Sequence, residues 1–238
     1  MRIQRALARS GVASRRAAEA MVAAGRVLVN GAPAQIGQVV DVEHDEIVVD
    51  GRPMAAPAPE RWLVLHKPAG VMTTRADPRG RRTVFEFVPR VPGLTYVGRL
   101  DLLTEGVLLF TTNGKAANVL MHPRTGVERT YVATVTGDAP AAVAATRRGV
   151  MLHDGPVRAV SVSAERLDRP GWWAFSVTLA EGRNREVRRL CRALDLHVER
   201  LVRTRFGPVT LGRLAPGETR PLTARELETI HAFVDAER

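Results

Sequence analysis

The N-terminal part of the chain has two stretches in which apolar residues recur with helical spacing. Residues 2–9 and 15–24 are the two predicted helices, and Gly11 separates them. Ser14 is a suitable N-cap for the second helix, because its hydroxyl can accept a hydrogen bond from a backbone N–H of the first turn. Gly25 stands where a helix commonly ends, since glycine adopts the left-handed conformation without strain. The pattern therefore predicts a helix pair.

Two short apolar stretches with strand character follow the helix pair. The first is residues 27–29, which lead into Asn30-Gly31, a dipeptide typical of a two-residue hairpin turn. The second is residues 47–49. Residues 53–59 are rich in proline and alanine, a composition that favours a semi-rigid spacer over a packed element.

The remaining residues alternate between strand-like and helix-like segments. The predicted strands are residues 62–65, 107–110, 129–136, 157–164 and 172–180. The predicted helices are residues 114–121, 140–148, 184–195 and 223–235. Such a mixture predicts an α+β fold, with a largely antiparallel sheet flanked by helices. We therefore predict a small helix–helix–hairpin domain at 1–52, a linker at 53–60 and a larger domain at 61–238.

The charge of the chain indicates an anionic partner. The 238 residues include 35 Lys and Arg against 25 Asp and Glu, which gives a net charge of +10. Only Lys67 and Lys115 are lysines, so arginine supplies nearly all of the positive charge, and guanidinium groups bind phosphate and stack on bases. An arginine-rich composition can also reflect the genome, so the sign of the charge is the informative part. Residues 1–26 carry six Arg and residues 41–50 five acidic groups, so the helical half of the small domain can meet RNA phosphates, although a basic helix pair on its own is more often a solvated face.

Other features of the composition narrow the class of protein. The single cysteine, Cys191, excludes an internal disulfide and fits a reducing cytoplasm. Cysteine and histidine lack metal-ligand spacing, so we expect no metal. Apolar runs are too short for a membrane span, and the basic start of the chain lacks the apolar stretch of a secretory signal. We expect a cytoplasmic monomer that does not contact membranes.

The segment GRLDLLTEG, residues 98–106, places Asp101 in a glycine-bounded loop before an apolar run. A carboxylate in such a loop is held by a rigid scaffold and remains accessible, as a catalytic group must be. A structural explanation is also available, in which Asp101 caps a turn and Arg99 is its ion-pair partner. The residues alone leave both explanations open.

Two further segments carry residues suited to chemistry. In the predicted strand 129–136, alternation places Tyr131 on the apolar face, where a tyrosine usually belongs to the core. The segment EGRNREVRRLC, residues 181–191, enters a helix on which Arg188 lies beside an apolar stripe. A surface helix with arginine–glutamate pairs explains this segment equally well.

Together these segments resemble the signatures of the RsuA/RluB-like branch of the pseudouridine synthases. Residues 98–114 are similar to that family's Gly-Arg-Leu-Asp-x-x-Thr-x-Gly-Leu-Leu-Leu-Leu-Thr-Asn-Asp-Gly, with Val107 and Phe110 in place of leucines and Thr111-Thr112-Asn113-Gly114 in place of the final Thr-Asn-Asp-Gly. Residues 127–135 and 181–191 match two other family segments. A fourth match, KPAGV at 67–71, resembles the segment that opens the catalytic domain. The resemblance covers nearly all of the chain and implies the fold of that family.

The resemblance implies a role for each candidate site residue. Asp101 is expected to be the catalytic carboxylate, Tyr131 to stack on the target base, and Arg188 to pair with Asp101. Leu190 is expected to line the base pocket, and Arg99 to fill the space left by the flipped base or to bind phosphate. In the larger domain, further RNA contacts are expected from Lys67, Arg183 and Arg185.

The order helix–helix–hairpin in the small domain resembles the S4 RNA-binding domain. In that family the second helix and the following loop lie on RNA. The resemblance therefore implies RNA contacts for Arg5, Arg15, Arg16 and Arg26.

We expect the protein to isomerise a uridine to pseudouridine in ribosomal RNA. Residues 201–209 and 216–222 resemble relatives that act on 23S rRNA more than those that act on the small subunit. The alternatives are the same reaction on 16S rRNA or tRNA, and a non-catalytic role in RNA binding or ribosome assembly. A nuclease would usually need carboxylate pairs or a histidine pair, whereas the histidines are scattered. Isomerisation involves no oxidation and no group donor, so no cofactor is expected.

Overall fold

The computed structural model describes residues 1–236, which form two compact units. The first unit contains Met1–Trp62, Pro89–Thr95 and Phe110–Gly114. The second contains Leu63–Val88, Tyr96–Leu109 and the described residues from Lys115 onward. The chain thus enters the first unit three times.

The first unit contains two helices and a four-stranded antiparallel sheet. Its elements are α1 (Ile3–Arg9), α2 (Arg15–Ala23), β1 (Val27–Val29), β2 (Ala32–Pro33), β3 (Ile47–Val49) and β4 (Arg52–Pro53). The strand order is β2-β1-β3-β4. The predicted turn at Asn30-Gly31 joins β1 to β2, and the predicted strand at 47–49 pairs with the other edge of β1. The helix pair and the hairpin are confirmed.

Both helix-end signals of α2 act as predicted. The Ser14 hydroxyl accepts a hydrogen bond from the backbone N–H of Ala17 at 3.2 Å. Gly25 has a φ of 69°, in the left-handed region that ends many helices. The apolar residues of the helices and strands then meet in one core, which includes Ile3, Leu7, Val22, Val27, Val29, Ile47 and Val49.

The segment predicted to be a spacer is hydrogen-bonded near both of its ends. The backbone N–H of Met54 donates to the carbonyl of Ile47 at 2.7 Å. The Thr112 hydroxyl donates to the carbonyl of Pro59 at 3.0 Å. All four residues belong to the first unit.

The remaining elements lie mostly in the second unit. They are β5 (Trp62–Lys67), β6 (Thr95–Val97), β7 (Thr104–Thr111), α3 (Gly114–Met121), β8 (Arg129–Thr136), α4 (Ala139–Arg148), β9 (Val150–Leu152), β10 (Gly155–Val157), β11 (Ser161–Arg166), β12 (Trp172–Leu179), α5 (Glu186–Ala193), β13 (His197–Phe206), β14 (Val209–Thr210), β15 (Thr219–Pro221) and α6 (Ala224–Ala236). The large sheet has the order β11-β12-β8-β13-β7-β5-β15, with β14 beside β13 and β6 beside β7. Antiparallel pairs dominate, and β7 and β13 are parallel. The predicted α+β class is confirmed.

The prediction of one strand at 157–164 is wrong, because two strands with different partners occupy this stretch. β10 ends at Val157 and pairs with β9 in a separate hairpin. β11 begins at Ser161 and pairs with β12 at the edge of the large sheet. The intervening residues connect the hairpin to the sheet.

One face of β8, β12 and β13 forms the core of the second unit with α4 and α5. Strand alternation buries Ala133, Val135, Phe175, Val177, Leu179 and Leu201 on this face. The predicted apolar stripe of α5 covers it, with Val187, Leu190 and Cys191 buried and Leu194 half-buried. This packing sets the position of the first turn of α5.

Candidate active site

Asp101 lies in the loop between β6 and β7, and hydrogen bonds hold the backbone of this loop. The N–H of Thr104 donates to the carbonyl of Asp101 at 3.0 Å. The Thr73 hydroxyl donates to the carbonyl of Leu100 at 2.8 Å. The Asp101 side chain remains 31% exposed. The carboxylate is therefore carried by a fixed loop and is open to a ligand.

Lys67 is completely buried against this loop, which corrects the prediction that it binds RNA. Its Nζ donates to the carbonyls of Pro68 at 2.9 Å, Leu102 at 3.2 Å and Thr104 at 2.9 Å. Burial lowers the pKa of Lys67 to about 8, and the negative charge of Glu105 opposes this shift. The three ammonium hydrogens are used inside the protein, so Lys67 supports the loop and does not reach a phosphate.

Two guanidinium groups at the start of α5 face the Asp101 loop. Nη1 of Arg185 is 4.0 Å from Oδ2 of Asp101, and Nη2 of Arg188 donates to the carbonyl of Leu103 at 3.0 Å. Within 4.0 Å it is Arg185 that pairs with Asp101, whereas Arg188 uses this donor on the loop backbone. The pairing of Arg188 with Asp101 therefore stays a prediction. Burial lowers the pKa of Arg188, and the like charge of Arg185 acts in the same direction.

Arg183 is held by other protein groups, so the prediction that it binds RNA is also corrected. Its guanidinium donates to Oε1 of Glu186 at 2.8 Å, to Oδ1 of Asp154 at 3.1 Å and to the carbonyl of Pro156 at 2.8 Å. Arg189 donates to the other oxygen of Asp154 at 2.7 Å, and this bond is the main reason that the pKa of Asp154 falls to about 2. These contacts fasten the β9–β10 hairpin to α5.

Tyr131 lies in β8 on the face that packs against α5, as strand alternation predicted. Its ring is half-buried and contacts the core cluster that includes Ala133. The register places it opposite Val177 of β12 and Arg203 of β13. The loop that carries Asp101 and the strand that carries Tyr131 therefore both contact α5.

Two buried arginines on the same face were not predicted. Arg129 is 6% exposed and Arg203 is 2% exposed, and each guanidinium carbon lies 5.0 Å from the centre of the Phe206 ring. Both occupy strand positions where alternation leads one to expect an apolar residue. The sequence signal that could have identified them is a charged residue at a position that alternation assigns to the apolar face of a strand.

Leu190 and Arg99, the two residues predicted to line the substrate pocket, differ in exposure to solvent. Leu190 is fully buried in the core between α5 and the sheet, and the expectation that it lines the base pocket stays a prediction. Arg99 is exposed in the Asp101 loop, and it makes no hydrogen bond or ion pair with another described residue. Of the two, Arg99 has the position to meet RNA directly.

The candidate RNA-binding arginines of the first unit have two kinds of environment. Arg15 and Arg16 are exposed at the start of α2, and Arg5 is half-buried in α1. Arg26 instead donates from Nε and Nη2 to the two carboxylate oxygens of Asp50, at 2.7 and 2.6 Å. This pair occupies the guanidinium group of Arg26, so the RNA contact expected of Arg26 stays a prediction.

Residues 1–236 were compared with the requirements of a membrane-spanning helix and of a metal site. No helix in this range combines the length and apolar character needed to cross a membrane. The one group of three potential metal ligands found there is Asp41, Glu43 and His44, which are exposed before β3.

Comparison with known proteins gives matches along most of the chain. The RNA pseudouridylate synthase family matches residues 61–193, and the S4 domain family matches residues 1–53. The chain is 44% identical to the ribosomal large subunit pseudouridine synthase B of Pseudomonas aeruginosa over 96% of its own length and 61% of the relative's length. It is 42% identical to an uncharacterized RNA pseudouridine synthase of Mycobacterium bovis, with 98% and 94% covered. A crystal structure of a pseudouridylate synthase aligns with a TM-score of 0.66 and 27% identity, covering 97% of this chain and 99% of that chain.

Proposed function

The chain belongs to the RNA pseudouridylate synthase family, and we propose that it converts a specific uridine of large-subunit ribosomal RNA to pseudouridine, with Asp101 as the catalytic carboxylate. The observation that carries the proposal is the accessible Asp101 carboxylate on a loop held by Lys67 and Arg188. The relative from Pseudomonas aeruginosa, named for the large ribosomal subunit, supports the choice of substrate.

The reaction defines what the site must supply. The N1–C1′ bond of uridine breaks, the uracil turns in place, and a C5–C1′ bond forms. The C5 proton is lost and N1 gains a proton, so the atoms balance without an oxidant or a group donor. The site needs a carboxylate at the ribose, a pocket that retains the detached base, and a group that accepts the C5 proton.

Asp101 provides the carboxylate, either by attacking C1′ or by removing the proton at C2′. The ion pair with Arg185 orients its side chain, and the bond from Arg188 to Leu103 fixes the loop. Tyr131 provides a stacking surface for the extruded uracil and is the candidate proton acceptor. A fixed carboxylate shortens the search for the reactive geometry, which is how positioning accelerates a reaction.

RNA binding is assigned to residues with exposed guanidinium groups. In the second unit this is Arg99, and Arg185 where it extends beyond Asp101. In the first unit, which matches the S4 domain, these are Arg15 and Arg16. Each exposed guanidinium that neutralises a phosphate releases a counterion, which makes the affinity for RNA depend on salt.

The experiment is pseudouridine mapping of total rRNA from a strain that lacks the gene. The strain is complemented with the wild type, with Asp101→Asn, or with Asp168→Asn, which is the same change at an exposed aspartate between β11 and β12. We expect one 23S uridine to lose its modification and to regain it with the wild type and Asp168→Asn. Asp101→Asn keeps the shape and removes the charge, so no modification should return.

The other results separate the alternatives. A change confined to 16S rRNA, or to tRNA mapped in the same strain, would replace the proposed substrate and keep the reaction. Unchanged maps of both RNA pools would favour a role in RNA binding alone. Full restoration by Asp101→Asn would remove Asp101 from the mechanism.

A further inference from the structure

Two positively charged side chains are buried together next to Tyr131. Arg129 and Arg203 both stack on Phe206, with guanidinium carbons 5.0 Å from the ring centre. Such stacking offsets part of the cost of burying a guanidinium, because the ring face is electronegative. It does not neutralise the charge.

The hydrogen bonds of this pair go to backbone carbonyls. Arg129 donates to the carbonyls of Val127 at 2.8 Å and Leu120 at 3.1 Å, and Nε of Arg203 donates to that of Val107 at 2.8 Å. Nη2 of Arg203 is buried and has no hydrogen-bond partner among residues 1–236.

No carboxylate within 4.0 Å pairs with either guanidinium in the described part of the chain. Burial lowers the pKa of Arg129, and the like charge of Arg203 lowers it further. Tyr131 and Glu186 act in the opposite direction. A buried cation that lacks a paired anion is destabilising. Such a group calls for an explanation, and one explanation is that it serves an anion that forms during the reaction.

The sheet register places the pair beside the proposed site of the base. Arg203 lies directly across from Tyr131, and Arg129 is two residues before Tyr131 on the same face of β8. On the other edge of β13, Arg203 pairs with Gly106 of β7, the strand that follows the Asp101 loop. The pair therefore lies next to the residue that we assign to the uracil.

We propose that Arg203, with Arg129 behind it, stabilises the negative charge that develops beside Tyr131 when the glycosidic bond breaks. The inference rests on the proposed function. When N1–C1′ breaks, its electron pair leaves with the uracil, and the base stays anionic until C5 bonds to C1′. Preorganised positive groups in a low-dielectric site stabilise such a charge without reorganisation. Both guanidiniums are buried, so they do not touch the substrate. They act on the base through Tyr131 and through the electric field of their charges, and we therefore class them as positioning residues.

The test measures stability and chemistry separately. The probe is rRNA labelled with [5-³H]uridine from the strain that lacks the gene, and tritium release under single turnover reports the loss of the C5 hydrogen. Arg203→Met removes the charge and keeps a long apolar side chain. We expect the rate to fall on the order of 100-fold. The affinity for the RNA should stay within about twofold, since a buried guanidinium binds no phosphate. The melting temperature should be unchanged or higher, because the unpaired charge is gone.

Arg205→Met is the matched control on the same strand. The register of β13 shifts between Arg203 and Arg205, which places Arg205 opposite Thr130. There it donates to Oε2 of Glu128 at 2.6 Å and to the Thr130 hydroxyl at 3.1 Å. Its loss should lower the melting temperature slightly and leave the single-turnover rate unchanged. Arg203→Lys keeps the charge and should recover most of the rate lost in Arg203→Met. This variant also serves if the methionine variant fails to fold.

Two results would overturn the inference alone: a wild-type rate in folded Arg203→Met, or an equal loss of rate in folded Arg203→Lys and Arg203→Met. A rate loss in Arg203→Met that merely follows a lower melting temperature would likewise assign the pair to the fold. If the wild type releases no tritium from rRNA or tRNA, the proposed function fails and the inference fails with it.

Discussion

The ammonium group of Lys67 lies inside the protein and uses its three hydrogens on the carbonyls of Pro68, Leu102 and Thr104. A neutral amine has only two hydrogens, so deprotonation leaves at least one of these carbonyls without its donor. Two of the three carbonyls belong to the chain directly after Asp101. The backbone that carries the proposed catalytic carboxylate is therefore coupled to the protonation of one lysine.

The pKa of Lys67 gives a stability prediction with a definite sign. Folding lowers this pKa from 10.5 to about 8, mainly through burial. Between these two values the unfolded chain binds more protons than the folded chain, so the contribution of Lys67 to stability rises with pH across this window and is lost as pH falls through 8. We expect the wild type to gain stability relative to Lys67→Met between pH 8 and about pH 10, measured by urea unfolding.

Lys115→Met is the control for this prediction. Lys115 is the other lysine of the chain and is exposed in α3, so the pH dependence of the stability difference from the wild type should be larger for Lys67→Met than for Lys115→Met. A pH-independent difference between the wild type and Lys67→Met would contradict the predicted linkage.

Single residues also mark the limit of the sequence-based predictions. Alternation in β8 placed Tyr131 on the correct face, because a strand has a fixed period of two. The same reasoning could not show that Lys67 and Arg183 are used inside the protein. Several of their partners lie far away in sequence, such as the carbonyl of Leu102, 35 residues after Lys67, and the carboxylate of Asp154, 29 residues before Arg183. Only the folded chain shows which basic groups have unused donors.

Among the secondary-structure elements, the parallel pair of β7 and β13 requires a close backbone approach. Gly106 of β7 is registered with Arg203 of β13, and its φ is 107°. A Cβ atom at Gly106 would lie 2.1 Å from the carbonyl oxygen of Arg203. The glycine therefore sets the spacing of the two strands, and it also sets the position of Arg203 beside Tyr131.

Gly106→Ala should destabilise the protein by about 3 kcal/mol or more, because the new methyl group meets backbone that cannot move aside. The measurement is the free energy of unfolding in urea. Gly212→Ala is the control, since Gly212 has a φ of 58° and open space around the added Cβ. That change should cost only about 1 kcal/mol, from the positive φ. Equal losses in the two variants would show that the close approach carries no extra cost.

The elements that sequence predicted well are those with an uninterrupted period. The predicted segments 114–121 and 129–136 coincide with α3 and β8. The sequence pattern did not predict β13, the longest strand among the described residues, although residues 201–206 belong to a segment that resembles the family. Charged residues occupy four of its ten positions, and the buried Arg203 interrupts its apolar face. Its pairing with both β7 and β8 compensates for this composition.

Over the whole molecule, the count of 35 basic residues overstates the number of positive groups that are available to RNA. Many guanidiniums are already paired with carboxylates. The pairs include Arg26–Asp50, Arg81–Asp77, Arg183–Asp154, Arg189–Asp154, Arg200–Glu105, Arg205–Glu128 and Arg220–Glu226. Exposed arginines outside such pairs, including Arg15 and Arg16, are the ones that can exchange a counterion for a phosphate.

We expect the double change Arg15→Gln and Arg16→Gln to weaken RNA binding and to reduce the slope of log Kd against log salt by about 2. The measurement is a filter-binding titration with rRNA at several salt concentrations. Arg26→Gln is the control, because Arg26 is bound to Asp50 and should change the slope little. A slope unchanged by the double substitution would remove these two residues from the RNA contact.

The burial of Lys67 also has a practical consequence for labelling the protein. The sequence contains only two lysines, and Lys115 on α3 is the exposed one. A succinimidyl ester of a fluorophore or a cross-linker should therefore modify a single lysine of the native enzyme, without any engineered cysteine. Unfolding would make Lys67 reactive as well, so dye on Lys67, counted apart from dye on Lys115 and on the α-amino group, reports whether the loop beneath Asp101 is intact.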